Sequence, residues 1–132
     1  MLLYEMDTDP SHFDLTLHLR LLLGDEIVMG PGRADLLKYI QKTGSIAAAG
    51  RQMGMSYKRA WALVEAMNTT FRAPLVEAVK GGVGGGGARL TPMGMQVLTA
   101  YRGVEDSVRE AGAAFLTELK AALPVPPGRK DG

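Results

Sequence analysis

Two stop-and-start signals, Gly44-Ser45 and Gly54-Met55-Ser56, interrupt the middle of the chain and leave room between them for only a two-turn helix. A glycine can end a helix in the left-handed conformation, and a serine hydroxyl can accept from the free amides that open the next one. The second helix therefore spans about Ile46 to Met53. Its Ala47, Ala48, Ala49 and Gly50 put little side chain between it and any helix it crosses, so two axes can approach closely. Gly54 supplies the positive φ that swings the chain, Met55 plugs the underside of the turn, and Ser56 caps a third helix. From there Ala60, Leu63, Val64, Met67 and Phe71 recur at helical spacing and turn one face to a core. Two helices meeting at a tight glycine turn form a helix-turn-helix, whose later helix can enter the major groove of DNA.

On the third helix, Lys58, Ala62 and Glu65 point away from the apolar stripe, with Arg59 and Trp61 on the flanks. Cations in a first turn oppose the helix dipole, so helix stability does not account for Lys58 and Arg59. An arriving polyanion does. Phosphates can take the free amides of Tyr57 and Lys58, while Lys58 and Arg59 can reach phosphate oxygens or guanine O6 and N7. The charge distribution agrees: formal charge is only +1 overall, but residues 1–30 carry −5, residues 31–102 carry +7 and residues 103–132 carry −1. A basic middle in a near-neutral chain is the electrostatic footprint of a nucleic-acid binder.

Leu75 to Lys80 reads as a strand, Gly81-Gly-Val-Gly-Gly-Gly-Gly87 as a loop and Ala88 to Leu90 as a returning strand. A hairpin just behind a reading helix is a wing, with Lys80 and Arg89 flanking its tip. Six glycines in seven residues predict a tip that becomes ordered on binding. Gly82, Gly84 and Gly87, with Asp106 further on, formally match a dinucleotide fingerprint. A dinucleotide site, however, needs a helix opening directly off the glycines and a parallel sheet, whereas Arg89, Leu90 and Thr91 intervene before Pro92. No Gly-Lys-Ser/Thr is present, which excludes a nucleoside-triphosphate loop.

The segments Gly30-Pro-Gly, Gly44-Ser-Ile, Gly54-Met-Ser-Tyr-Lys-Arg-Ala-Trp61, Met67-Asn68, Pro74-Leu-Val-Glu77, the polyglycine run to Ala88 and Leu90-Thr-Pro92 carry a resemblance. Over Gly30 to about Arg102, a little more than half of the chain, it resembles the N-terminal DNA-binding domain of the molybdate-responsive ModE family, itself similar to the winged domain of LysR-type regulators. The resemblance implies a winged-helix dimer that binds operator DNA and controls transcription, often of molybdate uptake or molybdoenzyme genes. Longer members continue into small β-barrel domains that bind molybdate. Here Leu123 is followed only by Pro-Val-Pro-Pro-Gly-Arg-Lys-Asp-Gly, a stretch expected to be a disordered tail (residues 124–132), so molybdate binding is not expected in this chain.

Before the reading unit, Leu15, Leu17, Leu19 and Leu21 alternate with polar residues and predict a strand. Gly24-Asp25-Glu26 turns it, and Ile27-Val-Met29 returns as a hairpin. Pro31 then opens a first helix with Leu36, Leu37 and Ile40 on its inner face, ending at Gly44. Residues 1–13 form an N-terminal extension that lacks a basic start or a long apolar run, and reads as neither signal peptide nor membrane span. Thr91-Pro92 opens a long helix to about residue 123. Val97, Tyr101, Val104, Val108, Ala111 and Phe115 repeat along it at spacings of four and three, which suits pairing with a second copy, with Gly112 as a kink or break. A dimer would place two reading helices on half-sites about one turn of DNA apart.

Enzymatic chemistry has little support. Without cysteine there is no thiol nucleophile, thiolate metal site or disulfide. His12 and His18 read as solvated, the acidic residues of the N-terminal third lack metal-ligand spacing, and the eight methionines read as core filler. Trp61 reads as a core residue ahead of a sugar-stacking one. The expectation is thus an α+β winged helix-turn-helix domain (residues 14–91, wing 75–91) with an N-terminal β-hairpin and a long dimerisation helix (92–123). Ser56, Tyr57, Lys58, Arg59 and Ala62 would enter the major groove, with Ser45, Arg51 and Lys80 at the DNA and Gly84, Gly85 and Arg89 of the loop touching the neighbouring backbone. Val97, Tyr101, Val104, Val108 and Phe115 would pair in a homodimer. The expected partner is double-stranded DNA, in the cytoplasm, with no cofactor, metal or membrane; a protein-interaction adaptor with a basic surface for an acidic partner is the alternative.

Overall fold

In the computed structural model, which describes residues 15–80 and 86–124, the glycine-serine punctuation sets the helix boundaries. Helix α1 (Pro31–Thr43) opens with proline in its first turn and closes at Gly44, whose φ of 73° lets its N–H reach the Ile40 carbonyl at 2.8 Å. Helix α2 (Ile46–Gln52) is capped by Ser45, which accepts from the Ala48 amide at 3.0 Å. Gly54, with φ of 69°, turns the chain into helix α3 (Tyr57–Thr70), capped by Ser56 accepting from the Arg59 amide at 3.1 Å. A Cβ at Gly50 would lie 3.1 Å from the Ala60 Cβ, so the absence of a side chain there is what lets α2 and α3 approach. The N-terminal extension, Gly84, Gly85 and most of the proline-rich tail lie outside the described residues.

Strand β1 (Leu21–Leu23) pairs antiparallel with β2 (Glu26–Met29) around Gly24-Asp25. The hairpin is shorter than the leucine alternation predicts, because residues 15–20 form no strand. An extended segment needs a partner for its amides, and β2 ends at Met29, two residues before Pro31 starts α1. Strands β3 (Val76–Val79) and β4 (Gly87–Leu90) form the second antiparallel pair, with Val76 opposite Leu90 and Val79 opposite Gly87. The expected long helix is divided at Gly112 into α4 (Pro92–Ala111) and α5 (Ala113–Ala121). Among the described residues the fold is thus α+β, with five helices and two two-stranded sheets.

The chain falls into two compact units: residues 18–105, and residues 106–124 with 15–17. The first holds the core, in which Met29, Leu36, Leu37, Ile40, Val64, Met67 and Leu75 are fully buried. Asn68 joins α3 to β3: its side-chain carbonyl accepts from the Leu75 and Val76 amides at 2.8 and 3.1 Å, and its amide donates to the Val76 carbonyl at 3.1 Å. On the other edge, the Ala88 amide donates to the Gly44 carbonyl at 2.9 Å. The β3–β4 hairpin is therefore tied both to α3 and to the turn before α2.

Candidate nucleic-acid interface

Burial of Ala60, Val64 and Met67 fixes the rotation of α3, and with it the side chains that face solvent. Ser56, Tyr57, Lys58, Arg59 and Ala62 are all exposed. Lys58 and Arg59 make no ion pair among the described residues, and no acidic residue occupies the first turn to offset them. A capped helix start with two free cations beside unsatisfied backbone amides is a surface for an anion.

The other expected contact residues divide. Arg51 is exposed at the end of α2, and Lys80 is exposed just beyond β3. Ser45 is half-buried, with its oxygen accepting from the Ala48 amide, so its first role is to cap α2. Arg89 is exposed but not free: its Nε donates to Glu77 across the hairpin at 2.8 Å. A pair that open to solvent contributes little to stability, and a phosphate can replace the carboxylate.

Trp61 corrects the core assignment made from sequence. It is 40% exposed, its indole N–H donates to the Tyr57 hydroxyl oxygen, and the two rings meet edge to face with centroids 6.5 Å apart at 81°. The signal was in the spacing: Trp61 is one helical turn from exposed Tyr57 and one residue past buried Ala60. Both rings line a groove of about 370 Å³ between the helices and the β3–β4 hairpin, with Ala47, Asn68, Ala78 and Gly87 among its other walls.

The expected dimer seam is also divided. Tyr101 is 2% exposed and belongs to the core, where its hydroxyl donates to the Leu19 carbonyl at 2.7 Å. Val97 is half-buried against that core, and Val104 is exposed. In the smaller unit Val108 and Phe115 are exposed. Beside Tyr101, Arg102 bridges Asp35 at 2.7 Å and the buried Glu105 at 3.0 Å. No cluster of metal-binding side chains occurs among the described residues, and no helix there is long and apolar enough to cross a membrane.

No family model matches the chain. Its curated homologues are ModE and Mop proteins. It is 48% identical over 91 residues to the molybdenum-pterin-binding protein MopB of Rhodobacter capsulatus, covering 69% of this chain and 34% of the relative. It is 45% identical over 83 residues to the transcriptional regulator ModE of Yersinia pestis, covering 63% and 32%. Against the DNA-binding transcriptional dual regulator ModE of Escherichia coli K12 the identity is 41% over 83 residues, again 63% and 32%. The chain spans about a third of the length of these relatives.

Proposed function

We propose that this relative of ModE regulators is a sequence-specific DNA-binding transcriptional regulator. In this reading α2, the Gly54 turn and α3 form a helix-turn-helix, β3–β4 is its wing, and the first turn of α3 enters the major groove. The observation that carries it is the pair of exposed cations, Lys58 and Arg59, which make no ion pair among the described residues, on a capped helix start whose opposite face is sealed into the core. The name of the Escherichia coli relative, which states DNA binding, supports the same class. Tyr57, Lys58, Arg59 and Ala62 address bases, Arg51 and Lys80 hold phosphates, and Arg89 exchanges Glu77 for the DNA backbone. Phosphate contacts set the register, and three or four side chains read sequence.

The regulator acts as a homodimer, and exposed Val104, Val108 and Phe115 are the seam residues that remain available once Tyr101 is assigned to the core. Genes of molybdate uptake or molybdoenzymes are the proposed targets; that the Rhodobacter capsulatus relative is named for binding a molybdenum pterin supports this. Footprinting on a duplex selected from a random pool tests both DNA binding and pairing. Two protected half-sites with centres about 10 base pairs apart are expected. Absence of protection at any sequence, with the purified chain retained instead on an acidic protein, would replace this reading by the adaptor.

A further inference from the structure

We infer that Trp61 reads sequence by packing its indole against the C5-methyl group of a thymine in the major groove. This rests on the placement of α3 proposed above. Trp61 is the only tryptophan of the chain, and it is exposed on the element that carries Lys58 and Arg59. Its one polar atom is already used, because Nε1–H donates to the Tyr57 oxygen. The surface it offers outward is therefore purely apolar. The ring lines both the groove beside the β3–β4 hairpin and a second concavity shared with Ala62, Glu65, Ala66 and Thr69, so it is reachable from both sides of the exposed face of α3.

The major-groove edges of base pairs present one apolar group, the thymine methyl, and side chains such as alanine and phenylalanine contact it. Trp61, next to exposed Ala62, has the matching chemistry, and Lys58 and Arg59 supply the charge that draws the duplex to this face. Tyr57 completes the pair: its oxygen accepts from Trp61 while its own proton stays available for a base or phosphate oxygen. The hydrogen bond and the edge-to-face packing hold both rings before DNA arrives, which lowers the ordering cost of the contact.

The test replaces each thymine of a selected duplex, one at a time, by deoxyuridine, which lacks only the methyl group. With the purified 132-residue chain, affinity should fall about fourfold at one position per half-site, the worth of one buried methyl, and stay unchanged at the other thymines. Trp61→Ala should bind more weakly and lose that position dependence. If no thymine is sensitive, or if the sensitivity persists in Trp61→Ala, the inference is overturned while duplex binding still stands. Equal weakening of Trp61→Ala on all duplexes, with no methyl dependence in the parent chain, would assign the ring to a deoxyribose and equally overturn it. Emission of the single tryptophan gives a readout that needs no variant: its quenching by acrylamide should drop on binding the duplex, and unchanged quenching would contradict the contact. Failure of the parent chain to bind any duplex would remove the underlying placement of α3 as well.

Discussion

The Tyr101 hydroxyl donates to the Leu19 carbonyl from a ring that is nearly fully buried, and that bond holds the segment before β1 to helix α4. Burial, and after it the charge and hydrogen bonding of Glu105, hold the phenol above the ordinary tyrosine value. A group raised in the folded state contributes stability that is fully present below its unfolded pKa and is lost as pH rises toward the folded one. The chain should therefore lose stability above about pH 10, and an absorbance titration of Tyr101→Phe should lack a tyrosine ionisation that the parent chain shows above the ordinary tyrosine value. Tyr101→Phe should also cost about 1–2 kcal/mol in urea unfolding near neutral pH, because it orphans the Leu19 carbonyl. A tyrosine titration unaltered by the substitution would contradict this account. Neighbouring Arg102 belongs to the same cluster. Burial opposes its charge, but the hydrogen bonds to Asp35 and Glu105 outweigh burial and raise its pKa.

Among the elements, α4 contains two glycines in opposite situations. A Cβ on Gly94 would lie 2.1 Å from the Leu75 carbonyl oxygen, whereas one on Gly103 would meet nothing within 4 Å. Gly94→Ala should destabilise the fold by about 3 kcal/mol through forced separation of α4 from the β3 entry, while Gly103→Ala should be neutral or stabilising by up to about 1 kcal/mol. Equal effects in thermal unfolding would refute the close approach. The same helix shows what the sequence discloses and what it withholds. Helix starts, glycine turns and both hairpins were legible because Ser45, Gly54, Ser56 and the turn glycines act locally on their own backbone. The repeat at Val97, Tyr101, Val104 and Val108 located a face, but periodicity does not say what covers it, and Tyr101 proved to be core. Strand β1 began later than the leucine alternation suggested, since strand length depends on a partner. The Asn68 latch, the Arg89–Glu77 pair and the outward Tyr57–Trp61 pair depend on residues brought together by folding or by a helical turn that composition does not weigh. Of the candidate interface, the exposure of Ser56, Tyr57, Lys58, Arg59 and Ala62 follows from the period of the apolar stripe, whereas the outward Trp61 does not.

For the molecule as a whole, the segregated charge matters more than the net value. The +7 stretch of residues 31–102 contains α3, the β3–β4 hairpin and the proposed phosphate contacts, so the proposed association with DNA should be driven largely by release of counterions. Its acidic residues are few, and of these Asp35 and Glu77 are paired with Arg102 and Arg89. Lys58 and Arg59 of α3 make no ion pair among the described residues. Whether the start of α3 faces DNA is decided by the affinity of Lys58→Ala/Arg59→Ala for the selected duplex across a salt series. The expected result is a loss on the order of 2–5 kcal/mol at low salt, an unchanged circular dichroism spectrum, and a slope of log affinity against log salt shallower by about two. An affinity and slope equal to those of the parent chain would contradict it.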